Sequence, residues 1–263
     1  MNIFTHPAIA TTILSTLLMT MTLVTHASDL EKEKRWAEDI SDSLLDGEAI
    51  ELNDGTSNFL AIDTRADEPK NVGVIVIHGI GIHPDWPTVI QPLRVQLASQ
   101  GWNTLSLQMP ILSNDAKPEE YEPLMKEVPA RIDAGIRYMF KQGAKKIVII
   151  AHSMGAKMTS YYLAHKKIYR EAQTETPIIG YIGIGMDRGN EEYIKQIKLP
   201  VLDLYGEKDL AQVLSSADSR AKAGASNKQY SQKKVAGANH FFEDQDDDLV
   251  KVATEFLQNL STP

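Results

Sequence analysis

The chain has 263 residues, 43% hydrophobic and 24% charged, which suits one globular domain with a substantial core. A net charge of −8 argues against a nucleic-acid partner, which requires a basic face. With no cysteine there is no disulfide frame, no thiolate metal site and no cysteine nucleophile.

Residues 1–27 contain no Asp, Glu, Lys or Arg, and 8–24 form an apolar, Thr-rich run. Thr25-His26-Ala27 offers small residues at −3 and −1 of a cleavage site, and a charged stretch begins at Asp29. This pattern predicts a signal peptide over 1–27, export to the periplasm or beyond, and a mature domain over 28–263. The run is too short and too rich in threonine for a stable membrane span.

In the mature chain, 31–45 reads as a helix with Trp36, Ile40, Leu44 and Leu45 on one face. Strands are predicted at 49–52 and 58–63, joined by Asn53-Asp54-Gly55 as a hairpin. The continuous apolar run 72–77 suggests a strand buried on both faces. Helices are then expected at 86–100, 118–142, 153–165 and 249–260. Strands are expected at 103–108, 146–150, 178–183, 201–205 and 229–235. Alternation of this kind implies a mainly parallel sheet covered by helices. The acidic run 243–248 reads as a solvated first helical turn, with a calcium site as the lesser alternative.

The chemistry concentrates at Ile147-Val148-Ile149-Ile150-Ala151-His152-Ser153-Met154-Gly155. Here a β-branched strand ends in a small-residue turn and a helix-forming run follows. That is the plan of a nucleophile elbow, in which a strained turn holds a serine hydroxyl clear of the sheet. Gly155 supplies the small residue after Ser153; Ala151 stands where glycine is usual.

The elbow and the order of elements resemble the α/β-hydrolase superfamily over about 49–260. The resemblance implies an α/β-hydrolase fold and a triad in the order serine, acid, histidine. Gly206-Glu207-Lys208-Asp209 after a strand makes Asp209 the acid, although it also suits a helix N-cap. Asp187, after the preceding strand, is the reserve candidate, and Asp203 within a strand reads as structural. Ala236-Gly237-Ala238-Asn239-His240 makes His240 the base. His83, on a loop, is a further candidate to come near the site; His78, His152 and His165 fit the role less well. The resemblance places oxyanion donors at the N–H groups of Met154 and Ile80, the latter in His78-Gly79-Ile80-Gly81. The segments 78–87 and 101–110 resemble an exported bacterial α/β-hydrolase-like family of unassigned function.

The few residues between Met186 and Leu199 leave no room for a large cap domain, so 111–130 is expected to cover the site. Pro84, Asp85, Trp86, Gln108 and Met109 are candidates for lining it, or for ordinary loop packing. The reading implies a serine hydrolase without cofactor or metal, acting on a small or envelope-borne carboxylic ester. The alternative is a non-catalytic binding or envelope-assembly protein on the same scaffold.

Overall fold

A computed structural model describes residues 28–169 and 178–261. The predicted signal segment 1–27 lies outside the described residues. Eight strands form one sheet: β1 Glu48–Asn53, β2 Asn58–Thr64, β3 Val72–Ile77, β4 Thr104–Leu107, β5 Lys146–His152, β6 Ile178–Ile184, β7 Val201–Lys208 and β8 Tyr230–Asn239. Their order is β1-β2-β4-β3-β5-β6-β7-β8. Only the pairs β1/β2 and β2/β4 are antiparallel; every other neighbouring pair is parallel.

The central strands show why the two faces both need cover. Along β3, Ile75 and Ile77 face one apolar layer, with Ile132, Ile136 and Met139 of helix α3 (Val128–Lys141) and Met158 and Tyr162 of α4 (Met154–Tyr169). Val72, Val74 and Val76 face the other layer, with Leu93 and Leu97 of α2 (Ile90–Ser99) and Leu249, Ala253 and Leu257 of α8 (Asp246–Ser261). This is the period-2 alternation of a strand applied to a sequence apolar at every position. A smaller cluster seats α1 (Leu30–Ser43) on β2 through Ile40, Leu60 and Ile62.

Several boundaries differ from the sequence reading. The helix expected at 86 begins at Ile90, because Pro84, Pro87 and the left-handed Val89 (φ 60°) delay it. The region 118–142 divides into a 3-10 turn at Pro118–Lys126 and α3, and Pro129 falls in the first turn of α3, where no N–H is needed. Three short helices complete the chain: α5 Glu191–Ile194, α6 Ala211–Ser215 and α7 Ala217–Gly224. Asp246, Asp247 and Asp248 form the first turn of α8. Among the described residues no group of three or more His, Cys, Asp and Glu is placed to hold a metal ion. Among them, too, no helix is long and apolar enough to cross a membrane.

Buried charge ties the layers together. Asp203 of β7 is fully buried and pairs with Arg220 of α7 at 2.8 Å, while Tyr230 and Gln232 also donate to it. Arg220 in turn donates to the Val213 carbonyl of α6. Arg131 of α3 pairs with Glu33 of α1 at 2.8 Å and reaches Asp54 of the β1–β2 hairpin.

Candidate active site

β5 ends at His152, and Ser153 follows with φ 54°, in the left-handed region that non-glycine residues avoid. Its N–H donates to the Ile184 carbonyl at 2.8 Å, which fixes the strained turn to β6. Gly155 is obligatory: a Cβ there would lie 2.2 Å from the His78 carbonyl oxygen. Gly79 meets the elbow from the other side, where a Cβ would come within 2.9 Å of the Ser153 Cβ. Ala151 is accommodated in the sheet interior between β3 and β6.

The expected acid and base are brought in by β7 and β8. Gly206 lets these strands close up, since a Cβ there would lie 2.3 Å from the Ala238 carbonyl oxygen. Asp209 and His240 follow directly. His240 Nδ1 donates to Asp209 Oδ1 at 2.6 Å, and its Nε2 stands 3.0 Å from Ser153 Oγ. Asp209 also accepts from the N–H groups of Gly206 and Leu210. Burial alone would push its carboxyl up. The hydrogen bond and charge of His240, with the two backbone donors, outweigh burial and hold it below the ordinary carboxylate value. The N-cap of α6 is Leu210, so Asp209 does not cap that helix. Ser153, Asp209 and His240 therefore converge.

Asp187 does not join them. Its carboxylate accepts from Gly189 N–H at 2.9 Å and from Asn190, closing a short turn at the rim. His83 lies between Trp36 and Trp86 and accepts from Asp85 N–H, away from the cleft.

The cleft beside Ser153 measures about 70 Å³ and is lined by Ile80, Pro118, Met154, Lys157, Gly185, Asp187, Leu210, Gln212, Val213 and His240. None of Pro84, Asp85, Trp86, Gln108 and Met109 lines it. Asp85 is engaged by Arg94, Trp86 packs against His83, and Gln108 and Met109 turn inward to His78. Of the covering segment, Pro118 reaches the cleft, and Glu122 binds the cleft-lining Lys157 at 3.1 Å.

The expected oxyanion donors both border the cleft. Met154 is the first residue of α4, so its N–H lacks an intrahelical acceptor. His78 Nδ1 donates to the Gly79 carbonyl at 2.9 Å, and its Nε2 accepts from Met109 N–H. In a trans peptide the Ile80 N–H points opposite to that carbonyl. Burial lowers the His78 pKa to about 3, so this neutral tautomer persists at working pH.

Two contributions were not legible in the sequence. His152 Nε2 donates to the His240 carbonyl at 2.9 Å, joining the elbow directly to the base loop. Burial and the nearby His240 lower its pKa to about 3. Gly185, at φ 63°, lies flat against the imidazole; a Cβ there would come within 2.7 Å of His240 Cε1. The sequence signals were the His preceding the elbow serine and a glycine just past an apolar strand, and both look generic without coordinates.

A family described as a protein of unknown function (DUF3530) matches residues 20–127 and 113–257. The chain belongs to this family. No curated protein sequence matches it. The fold is similar to Est1E from Butyrivibrio proteoclasticus (17% identity, TM-score 0.62, covering 81% of this chain and 98% of that one). It is also similar to XC6422 from Xanthomonas campestris, described as an α/β serine hydrolase without lid (14%, TM-score 0.65, covering 83% and 97%). A dienelactone hydrolase from Anabaena variabilis is similar at 16% (TM-score 0.63, covering 81% and 97%). This member of the DUF3530 family therefore has the α/β-hydrolase fold. Met186 to Leu199 holds only a 3-10 turn and α5, with no cap domain.

Proposed function

We propose that the protein is a serine hydrolase that cleaves carboxylic esters through an acyl-enzyme on Ser153. The observation that carries this is the continuous chain from Asp209 through His240 to Ser153, at 2.6 and 3.0 Å, ending on a serine in the left-handed conformation. As Ser153 Oγ forms its bond to the acyl carbon, His240 Nε2 takes the hydroxyl proton. Asp209 holds the Nδ1–H tautomer and stabilises the imidazolium. The imidazolium then protonates the departing alkoxide. Water, deprotonated by the same nitrogen, releases the acid and restores the serine.

The N–H groups of Met154 and Ile80 are the donors to the tetrahedral oxyanion. Donors of this kind contribute about 3–4 kcal/mol each to the transition state. Est1E, with a similar fold, has been solved with ferulic acid bound, and XC6422 is described as a serine hydrolase. These likenesses support the reaction class.

The test is labelling with a fluorophosphonate and hydrolysis of p-nitrophenyl acetate. Labelling should map to Ser153, and Ser153→Ala should lose it together with roughly 10³-fold or more of the turnover. A folded protein that neither labels nor hydrolyses any ester in a broad panel would refute the reading. Export follows from the pattern of residues 1–27. N-terminal sequencing of protein recovered from the periplasm or medium should begin at Ser28.

A further inference from the structure

The cleft at Ser153 is narrow; the exposed Pro118 and Leu210 border it on one side, and the α4 side of its mouth is polar and aromatic. Its volume of about 70 Å³ is well below the roughly 300–1,000 Å³ of ordinary ligand pockets. A short acyl group such as acetyl suits a cleft of that scale. A longer chain meets Met154 and Val213, both buried in packed positions.

Outside, helix α4 carries the surface onward. Lys157 comes one turn after Ser153 and lines the cleft, and Tyr161 comes one turn later, about 12 Å along the axis from the serine. The Tyr161 ring meets Tyr193 of α5 edge to face at 5.7 Å, and His165 packs against both. Glu122 joins this strip through Lys157, and Asp187 and Gln212 complete the rim.

The strip offers one ammonium, two carboxylates, an amide and half-buried aromatic rings. Two carboxylates to one ammonium do not suit an anionic ligand. Donors and acceptors mixed with aromatic rings suit a molecule with many hydroxyls and apolar C–H faces. Its length exceeds what a single small alcohol would use.

We propose that the substrate is a short-chain O-acyl ester, acetate above all, carried on a carbohydrate chain that lies along α4 over Lys157, Tyr161 and Tyr193. The inference rests on the serine-hydrolase reading. The acyl C–O bond to the sugar oxygen breaks, that oxygen takes the proton from His240, and water then releases acetate from Ser153.

Three measurements test it. On p-nitrophenyl acetate, butyrate and octanoate, kcat/KM should fall about tenfold or more with each lengthening, and Val213→Ala should recover butyrate selectively. Partially O-acetylated tetrasaccharides of glucose, xylose and N-acetylglucosamine should be deacetylated. Tyr193→Ala should lower kcat/KM on the best of them about tenfold relative to its effect on p-nitrophenyl acetate. Exposed Glu122→Ala should shift that same ratio and serves where Tyr193→Ala fails to fold. Calorimetry on Ser153→Ala should detect saturable binding of the acetylated tetrasaccharide, independently of turnover.

A preference for octanoate, or absence of saccharide binding and deacetylation across the panel, would overturn the substrate assignment. So would losses in the variants that are equal on both substrates. In each case fluorophosphonate labelling of Ser153 would leave the hydrolase reading standing. Absence of labelling would remove that reading as well.

Discussion

Ser153 holds a backbone conformation that costs about 1–3 kcal/mol in a non-glycine residue. The surroundings sustain it only because Gly79 and Gly155 lack side chains. Gly155→Ala would push a methyl into the His78 carbonyl and should cost at least about 1–3 kcal/mol, read as a lower urea midpoint. Gly185→Ala should act on folding and chemistry together. At φ 63° an alanine is strained by about 1–3 kcal/mol, which lowers the urea midpoint, and its methyl would meet the imidazole, so kcat should drop as well. His152→Phe would leave the buried His240 carbonyl without its donor, a loss of about 1–3 kcal/mol that should appear partly in kcat. His152→Gln, which can still donate, should restore part of it.

At this scale the sequence was informative where a residue type has few uses. Ser153 could be named because a strand, a small-residue turn and a helix bracket it; Asp209 and His240 could be named only through the resemblance to the α/β-hydrolase superfamily. His152 and Gly185 could not, because their roles depend on which backbone comes near them in space. Asp187 shows the same limit: by position it suits a triad acid, but its carboxylate closes a local turn.

Elements set the distances between these residues. β7, β8, α6 and α7 are joined by Asp203 and Arg220, both fully buried. Through the Val213 carbonyl this pair also fixes one wall of the cleft. Arg220→Met should leave the buried Asp203 without its ion-pair partner, with only Tyr230 and Gln232 donating to it, costing about 3–5 kcal/mol. For a domain of this size that is a fall in Tm of about 6–20 °C by calorimetry. The elements themselves were largely readable, since apolar runs at 72–77 and 146–150 have few alternatives. The loops were not: Trp86, Gln108 and Met109 follow strands in the manner of pocket residues, yet they pack inward around His78 and His83.

Across the whole molecule, protonation links the site to stability. His78 and His152 have pKa values near 3 in the folded protein, against about 6.5 in an unfolded chain. Between these values the unfolded state binds more protons, so acid favours unfolding. Their contribution is complete above about pH 6.5 and declines as pH falls toward 3. Asp209, whose folded pKa is depressed, changes stability in the same direction at the acid end. The urea midpoint should therefore decrease from pH 7 to pH 4, and His152→Gln should flatten part of that slope.

The pair between Lys157 and Glu122 is a fastening whose strength is set by the medium. Glu122 is 61% exposed, so its attraction for Lys157 is open to screening by dissolved ions. In brine the 3-10 turn carrying Pro118 is held less firmly against α4. Entry of bulky esters should then quicken with ionic strength, while an ester no larger than methyl acetate should be indifferent to it.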